Sequence, residues 1–102
     1  MYLVQLLLPL YDNSGHRFPN ARLREVADEL TDRYGGVTAY LRSPAEGSWR
    51  EGSGEVDKDE VVMFEVMVDH LERDWWSRYR AALEQRFAQD ELVVRATAME
   101  RL

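Results

Sequence analysis

Cysteine is absent from the chain, which removes disulfides, thiolate zinc sites and thiol nucleophiles together. Positive charge is scarce: 13 basic residues stand against 19 acidic ones, leaving a formal charge of −6. A chain so acidic lacks the general basic face that nucleic acid or an anionic membrane requires, so neither is expected as a partner. No apolar run is long enough to span a bilayer. The most apolar segment, MYLVQLLLPLY at the N-terminus, has no basic leader and no small-residue cleavage site. It reads as the first strand of a soluble, cytoplasmic protein. Glycine is sparse, and the cluster EGSGE does not follow a strand and open a helix, so no phosphate-binding loop is indicated. Histidine occurs twice. His70 and Asp74 have the spacing of two ligands on one helical face, but with no further ligand nearby neither a metal nor a cofactor is expected. Ser14 and Ser48 lie near glycines without forming a nucleophile motif.

What is present is the patterning of one small α+β domain covering residues 1–102. Tyr2 to Leu10 is a strand whose end is marked by Pro9, which cannot donate to a ladder. The turn-rich segment YDNSGHRFPN follows. Asn20 is the expected N-cap of a helix from about Ala21 to Tyr34, with the stripe Leu23, Val26, Ala27, Leu30 and Tyr34. Arg24 with Asp28, and Glu29 with Arg33, are spaced as helical ion pairs. Gly35 and Gly36 end this helix, since glycine accepts the left-handed conformation there. Val37 to Arg42 reads as a second strand. The long connection SPAEGSWREGSGEVDKDE has a hairpin-like tip, with Trp49 expected to staple it or a neighbouring subunit. Glu60 to Val68 is the third strand. Asp69 and Glu72 resemble a capping box before a helix from His70 to Ala88, whose stripe is Leu71, Trp75, Tyr79, Ala82, Leu83 and Phe87, with Trp76 flanking. Glu91 to Met99 is the fourth strand.

The order β-α-β-β-α-β, with one apolar stripe on each helix, is satisfied by a ferredoxin-like sandwich. This has a four-stranded antiparallel sheet in order 4-1-3-2 with both helices on one face. Alternation along the strands then assigns faces. Val4, Leu6, Leu8, Val62, Phe64, Val66 and Val68 point at the helices. Leu3, Leu7, Val61, Met63, Met67 and Met99 point away, with Gln5, Tyr40, Arg42, Glu65, Arg95 and Thr97 among them.

The carboxylate of Glu65 is therefore embedded in an apolar strand on the helix-free side, where it needs a partner. A row Arg95, Gln5, Glu65 and then Tyr40 or Arg42 across the sheet meets that need. These five residues are the candidate ligand-binding set. So much apolar surface on a bare face calls for a cover, and a homodimer of facing sheets is the simplest one. The polar row then either sets the register of the dimer or lines a pocket for a small molecule. A cofactor-free enzyme of the dimeric α/β-barrel type, with Glu65 or His16 moving a proton, is the alternative. A third reading is an interaction module without a ligand. The RNA-binding version of this fold needs exposed aromatics on the two central strands, and these strands have none there.

GSWRE, the strand VVMFEV and above all YRAALEQRFAQDELVVRAT resemble a bacterial family of short uncharacterised proteins catalogued as a domain of unknown function. The likeness runs from about Val37 to Thr97. It implies a bacterial source and no known activity. Within it, Arg86 and Gln89 are either family binding residues or caps for the C-terminal carbonyls of the second helix.

Overall fold

The computed structural model describes residues 1–42 and 60–102, the side chains of residues 41 and 42 excepted. Trp49, Ser48 and the hairpin expected in the long connection lie outside the described residues. The elements are β1 (Tyr2–Pro9), α1 (Asn20–Tyr34), β2 (Thr38–Arg42), β3 (Val61–Val68), α2 (Arg73–Arg86) and β4 (Val93–Ala98). The strands form an antiparallel sheet in the order β2-β3-β1-β4, which is the expected ferredoxin-like arrangement. Each helix links two parallel strands separated by a third, β1 to β2 across β3 and β3 to β4 across β1.

The alternation of strand residues decides which face is buried. Val4, Leu6 and Leu8 of β1 and Val62, Phe64, Val66 and Val68 of β3 form the core with the stripes of both helices. Val26 and Leu30 of α1 and Leu83 of α2 are fully enclosed, and each contributes roughly 1.5–3 kcal/mol by leaving water. Phe18 and Phe87 close one end of this layer edge to face, 5.1 Å between centroids.

The stripe of α2 differs from the expected one. Trp76, Tyr79 and Leu83 are buried, whereas Trp75 is half-buried at the helix–helix seam. There Trp75 stacks on Tyr79 at 4.8 Å, and the Arg33 guanidinium lies 4.3 Å over its ring. Tyr34 stacks on Trp76. The helix also begins at Arg73 rather than His70. Glu72 occupies the cap position without a side-chain cap bond, because its carboxylate accepts from Arg33 (2.9 Å) and from the Tyr34 hydroxyl (3.1 Å). Asp69 therefore makes no capping box. His70 lies in the bend before the helix, off the helical face that would have aligned it with Asp74.

At the start of α1, Pro19 takes the cap position and Asn20 is already helical. The proline ring holds the extended backbone that a cap residue needs. At its end, Gly35 is left-handed (φ 83°) and its N–H bonds to Thr31 O, as expected. The end of α2 reaches the same geometry without glycine. Ala88 has φ 49°; its N–H bonds to Gln85 O, and the Gln89 N–H bonds to Glu84 O, the pairing of a Schellman turn. The Gln89 side chain adds a bond to Phe87 O at 3.1 Å, and Arg22 donates to Arg86 O at 2.9 Å.

The helix-surface charges pair between helices. Arg86 of α2 donates to both Glu29 oxygens of α1 (2.6 and 2.9 Å), and the Tyr79 hydroxyl donates to the same carboxylate at 2.8 Å. Glu29 is thus taken by Arg86, and Arg33 by Glu72, so the expected Glu29–Arg33 pair does not form. A planar guanidinium grips a carboxylate bidentately, which an i,i+4 pair on an open surface rarely matches. The Arg86 bonds hold the Glu29 carboxyl below its ordinary value of 4.5. Burial, reinforced by the bond to Glu29, pushes the Tyr79 hydroxyl up.

Two outcomes follow. Ala88→Gly relieves a left-handed alanine and is expected to stabilise the chain by about 0.5–1 kcal/mol in urea unfolding. Glu29→Gln is expected to cost about 1 kcal/mol at neutral pH, a figure kept low because both partners are partly exposed. Since the native carboxyl has the depressed pKa, its contribution is present above the ordinary value and is lost as pH falls through the native one. The gap between wild type and variant therefore closes in acid; a gap unchanged at pH 3 contradicts the pairing.

Candidate functional site

The register of the central strands brings the polar row together. Gln5 of β1 lies opposite Glu65 of β3 on one side and Arg95 of β4 on the other. Arg95 Nε donates to Gln5 Oε1 at 2.8 Å, and Gln5 Nε2 donates to Glu65 Oε2 at 2.6 Å. The amide thus links a cation to an anion across three strands, and its orientation is set by both. The carboxylate that looked misplaced in the sequence has its partner within its own sheet.

The fourth member of the row is not the expected one. Thr38 of β2 lies opposite Glu65, while Tyr40 pairs with Met63 and Arg42 with Val61. The turn formed by Gly35 and Gly36 starts β2 at Thr38, and that starting point sets the register. Tyr40, 47% exposed, belongs to the neighbouring row with Met63, Leu7 and Val93. The Arg42 side chain lies outside the described residues. Of the five candidates, the structure brings Gln5, Glu65 and Arg95 into contact and leaves Tyr40 on the same face but apart from them.

Around the row the face is apolar. Leu3, Leu7 and Val61 are half-buried; Met67 is 50% and Val93 48% exposed. Met63 is buried without belonging to the helix-side core.

At the end of the face where β1 finishes, a cleft of about 670 Å³ opens. Leu7, Val61 and Val93 extend the sheet face into it, Tyr11 and Asp12 enter from the first loop, and Gln89 and Glu91 come from the segment before β4. The volume falls in the range of small-molecule sites. Its charged lining is Asp12, Glu60 and Glu91, with no basic side chain among the described residues. The loop is held in shape locally. Asp12 Oδ1 accepts from the backbone N–H of Ser14 and of His16, each at 2.9 Å. The His16 N–H contributes most to holding this carboxyl below its ordinary value. The Gln89 side chain donates to Asn13 Oδ1, and Asn13 donates to Ala88 O, which fastens the loop to the turn after α2.

His16 points elsewhere: its side chain is 82% exposed, 3.7 Å from Asp12, and it does not line the cleft. The cleft residues Tyr11, Asp12, Glu60 and Glu91 were missed in the sequence. Tyr11 and Asp12 had one signal, the dense turn chemistry after Pro9; Glu60 and Glu91 had none. Among the described residues no group of His, Asp and Glu side chains is arranged to hold a metal, and no helix is long and apolar enough to cross a membrane.

Known structures share this architecture. A phage SAM lyase in complex with S-methyl-5′-thioadenosine superposes with a TM-score of 0.56 at 12% identity, covering 94% of this chain and 79% of the lyase. CutA1 from Pyrococcus horikoshii superposes with a TM-score of 0.53 at 16% identity, covering 100% of this chain and 86% of CutA1. At such identities the likeness is one of fold. No family model and no curated protein matches the chain.

Asp12→Ala is expected to raise amide hydrogen exchange at Ser14 and His16 while leaving β1 protected, as read by nuclear magnetic resonance. The wild-type protection depends on the ionised carboxylate, so it is lost as pH falls through the lowered Asp12 pKa. Equal protection of the two amides in wild type and variant overturns the assignment.

Proposed function

We propose that the chain is a homo-oligomeric binding protein, in its simplest form a dimer, that covers its open sheet face and holds a small organic molecule at the edge of that interface. One observation carries the reading: an apolar face crossed by the Arg95–Gln5–Glu65 row runs directly into a cleft of about 670 Å³. A bare monomer rarely leaves such a face in water. The row is bonded within one protomer, its cation and anion joined through Gln5, so it does not call for a ligand of its own. The ligand then belongs in the cleft, with Leu7, Val61 and Val93 as the apolar wall. The acidic lining opposes anions and favours a neutral or cationic molecule.

A second reading, cofactor-free chemistry on a small substrate, draws on the likeness to the lyase, whose structure holds a nucleoside thioether. Geometry favours binding over this. His16 stands away from the cleft, and Glu65 is already bonded to Gln5. Acid–base work would fall to Asp12, Glu60 or Glu91. The likeness in the GSWRE and YRAALEQRFAQDELVVRAT segments supports a bacterial origin.

Analytical ultracentrifugation is expected to give a homo-oligomer for the wild-type chain. Met67→Lys places a charge on the most exposed apolar residue of β3 on this face and is expected to shift it to monomer with an unchanged far-ultraviolet circular dichroism spectrum. A wild-type chain that remains monomeric as concentration is raised, with the Leu3, Leu7 and Met67 methyl groups in contact with water, sinks the proposal.

A further inference from the structure

The helix-bearing side carries a second recess, separate from the cleft and independent of how the open face is covered. It lies where the first two turns of α2 pass the edge strand β4, and its volume is about 210 Å³. Arg73, Trp76, Ser77 and Arg80 line it from α2, at the spacing of one helical face; Val94 and Arg95 line it from β4. Two of the chain's 13 basic residues, Arg73 and Arg80, thus line one recess of a protein with a net charge of −6, while the Arg95 side chain lies on the other face of the sheet. No carboxylate lines it among the described residues. The open edge of β4, which pairs only with β1 among the described strands, leaves it accessible from the side.

Trp76, one of the residues lining the recess, carries a second, independent feature. Trp76 is 5% exposed, and its indole Nε1–H is buried with no acceptor among the described residues. Leaving such a donor unpaired in the interior costs about 1–3 kcal/mol, and buried polar groups without partners are uncommon enough to need a reason. Arg95 Nε is held by Gln5 on the opposite face. The charge available to a ligand therefore comes chiefly from Arg73 and Arg80.

We propose that this recess is a binding site for a small oxyanion of the phosphate class, either the free ion or the phosphate group of a small molecule. Arg73 and Arg80 supply the charge. The Ser77 hydroxyl and the Trp76 indole N–H supply directional hydrogen bonds, the latter once the anion seats against the ring edge. The recess is large enough for a phosphate group and too small to enclose a nucleotide. Guanidinium forks are well suited to tetrahedral oxyanions. The two sites thereby differ in the sign of ligand they accept: the cleft at the end of β1 repels the anions that this recess attracts.

The experiment is a titration of the full chain with sodium phosphate at constant ionic strength, followed at the Trp76 indole ¹H–¹⁵N resonance, which Trp76→Phe assigns by its disappearance. A saturable shift is expected with phosphate and none with chloride. Arg80→Gln and Arg73→Gln are each expected to weaken binding tenfold or more while the unbound spectrum stays folded. Trp76→Phe, followed through the Ser77 amide, is expected to weaken it several-fold. A phosphomonoester that binds at least tenfold more tightly than the ion assigns the site to a phosphorylated molecule; equal affinities assign it to the ion. The proposal is overturned if the Trp76 resonance does not move saturably, if chloride moves it equally, or if both arginine variants bind phosphate as wild type does.

Discussion

A sheet has two faces, and the two helices of this chain cover one. Everything else in the molecule answers to that constraint. Both helices have a single apolar stripe, and burying both stripes on the same side of β1 and β3 yields one continuous core. The remaining side is then left with the other half of each alternating strand. In β1 and β3 that half is still largely leucine, valine and methionine, because the central strands are apolar on both faces. A strand pattern of this kind is common where both faces are covered. Here it appears in a sheet whose described helices all lie to one side.

The helix layer is held to itself as well as to the sheet. Arg86 clasps Glu29 near one end of the pair, and Arg33 with Tyr34 clasps Glu72 near the other. Between the clasps, Trp75, Trp76, Tyr34 and Tyr79 pack ring against ring. These interactions explain why residues spaced as pairs along one helix pair across the helix seam instead. A carboxylate reached by two guanidinium nitrogens and a phenol, partly out of water, is better solvated there than by one mobile neighbour on its own helix. The same packing turns α2 so that Trp76 is buried and Trp75 fills the seam.

Polar chemistry is distributed by the same geometry. On the open face the Arg95–Gln5–Glu65 row is self-contained, with a cation and an anion joined through an amide. At the end of β1 the lining is acidic; beside β4 it is basic. A net charge of −6 conceals both features, because an overall balance averages over surfaces that never see one another. Separation by the sheet and its helices lets one small fold present opposite potentials on two sides.

The alternation of Val4, Leu6 and Leu8 and of Val62, Phe64, Val66 and Val68 made the core legible before any coordinate was known, as did the stripe on α1 and the left-handed Gly35. Local rules suffice there, since side-chain direction along a strand or helix follows from backbone geometry alone. The same alternation put Glu65 on the open face beside Gln5 and Arg95. It did not reveal that Thr38 rather than Tyr40 completes the row, because register between strands depends on where the preceding turn releases the chain. The acidic cleft and the arginine-lined recess were likewise illegible, since Asp12 with Glu91, or Arg80 with Val94, meet only after the sheet is assembled. What the sequence determined by itself was which residues face the helices and which face away, a matter of period two and period 3.6. What only the tertiary structure decided was which charges become neighbours, because Coulomb and hydrogen-bond partners are chosen by distance in space across elements and not by spacing along the chain.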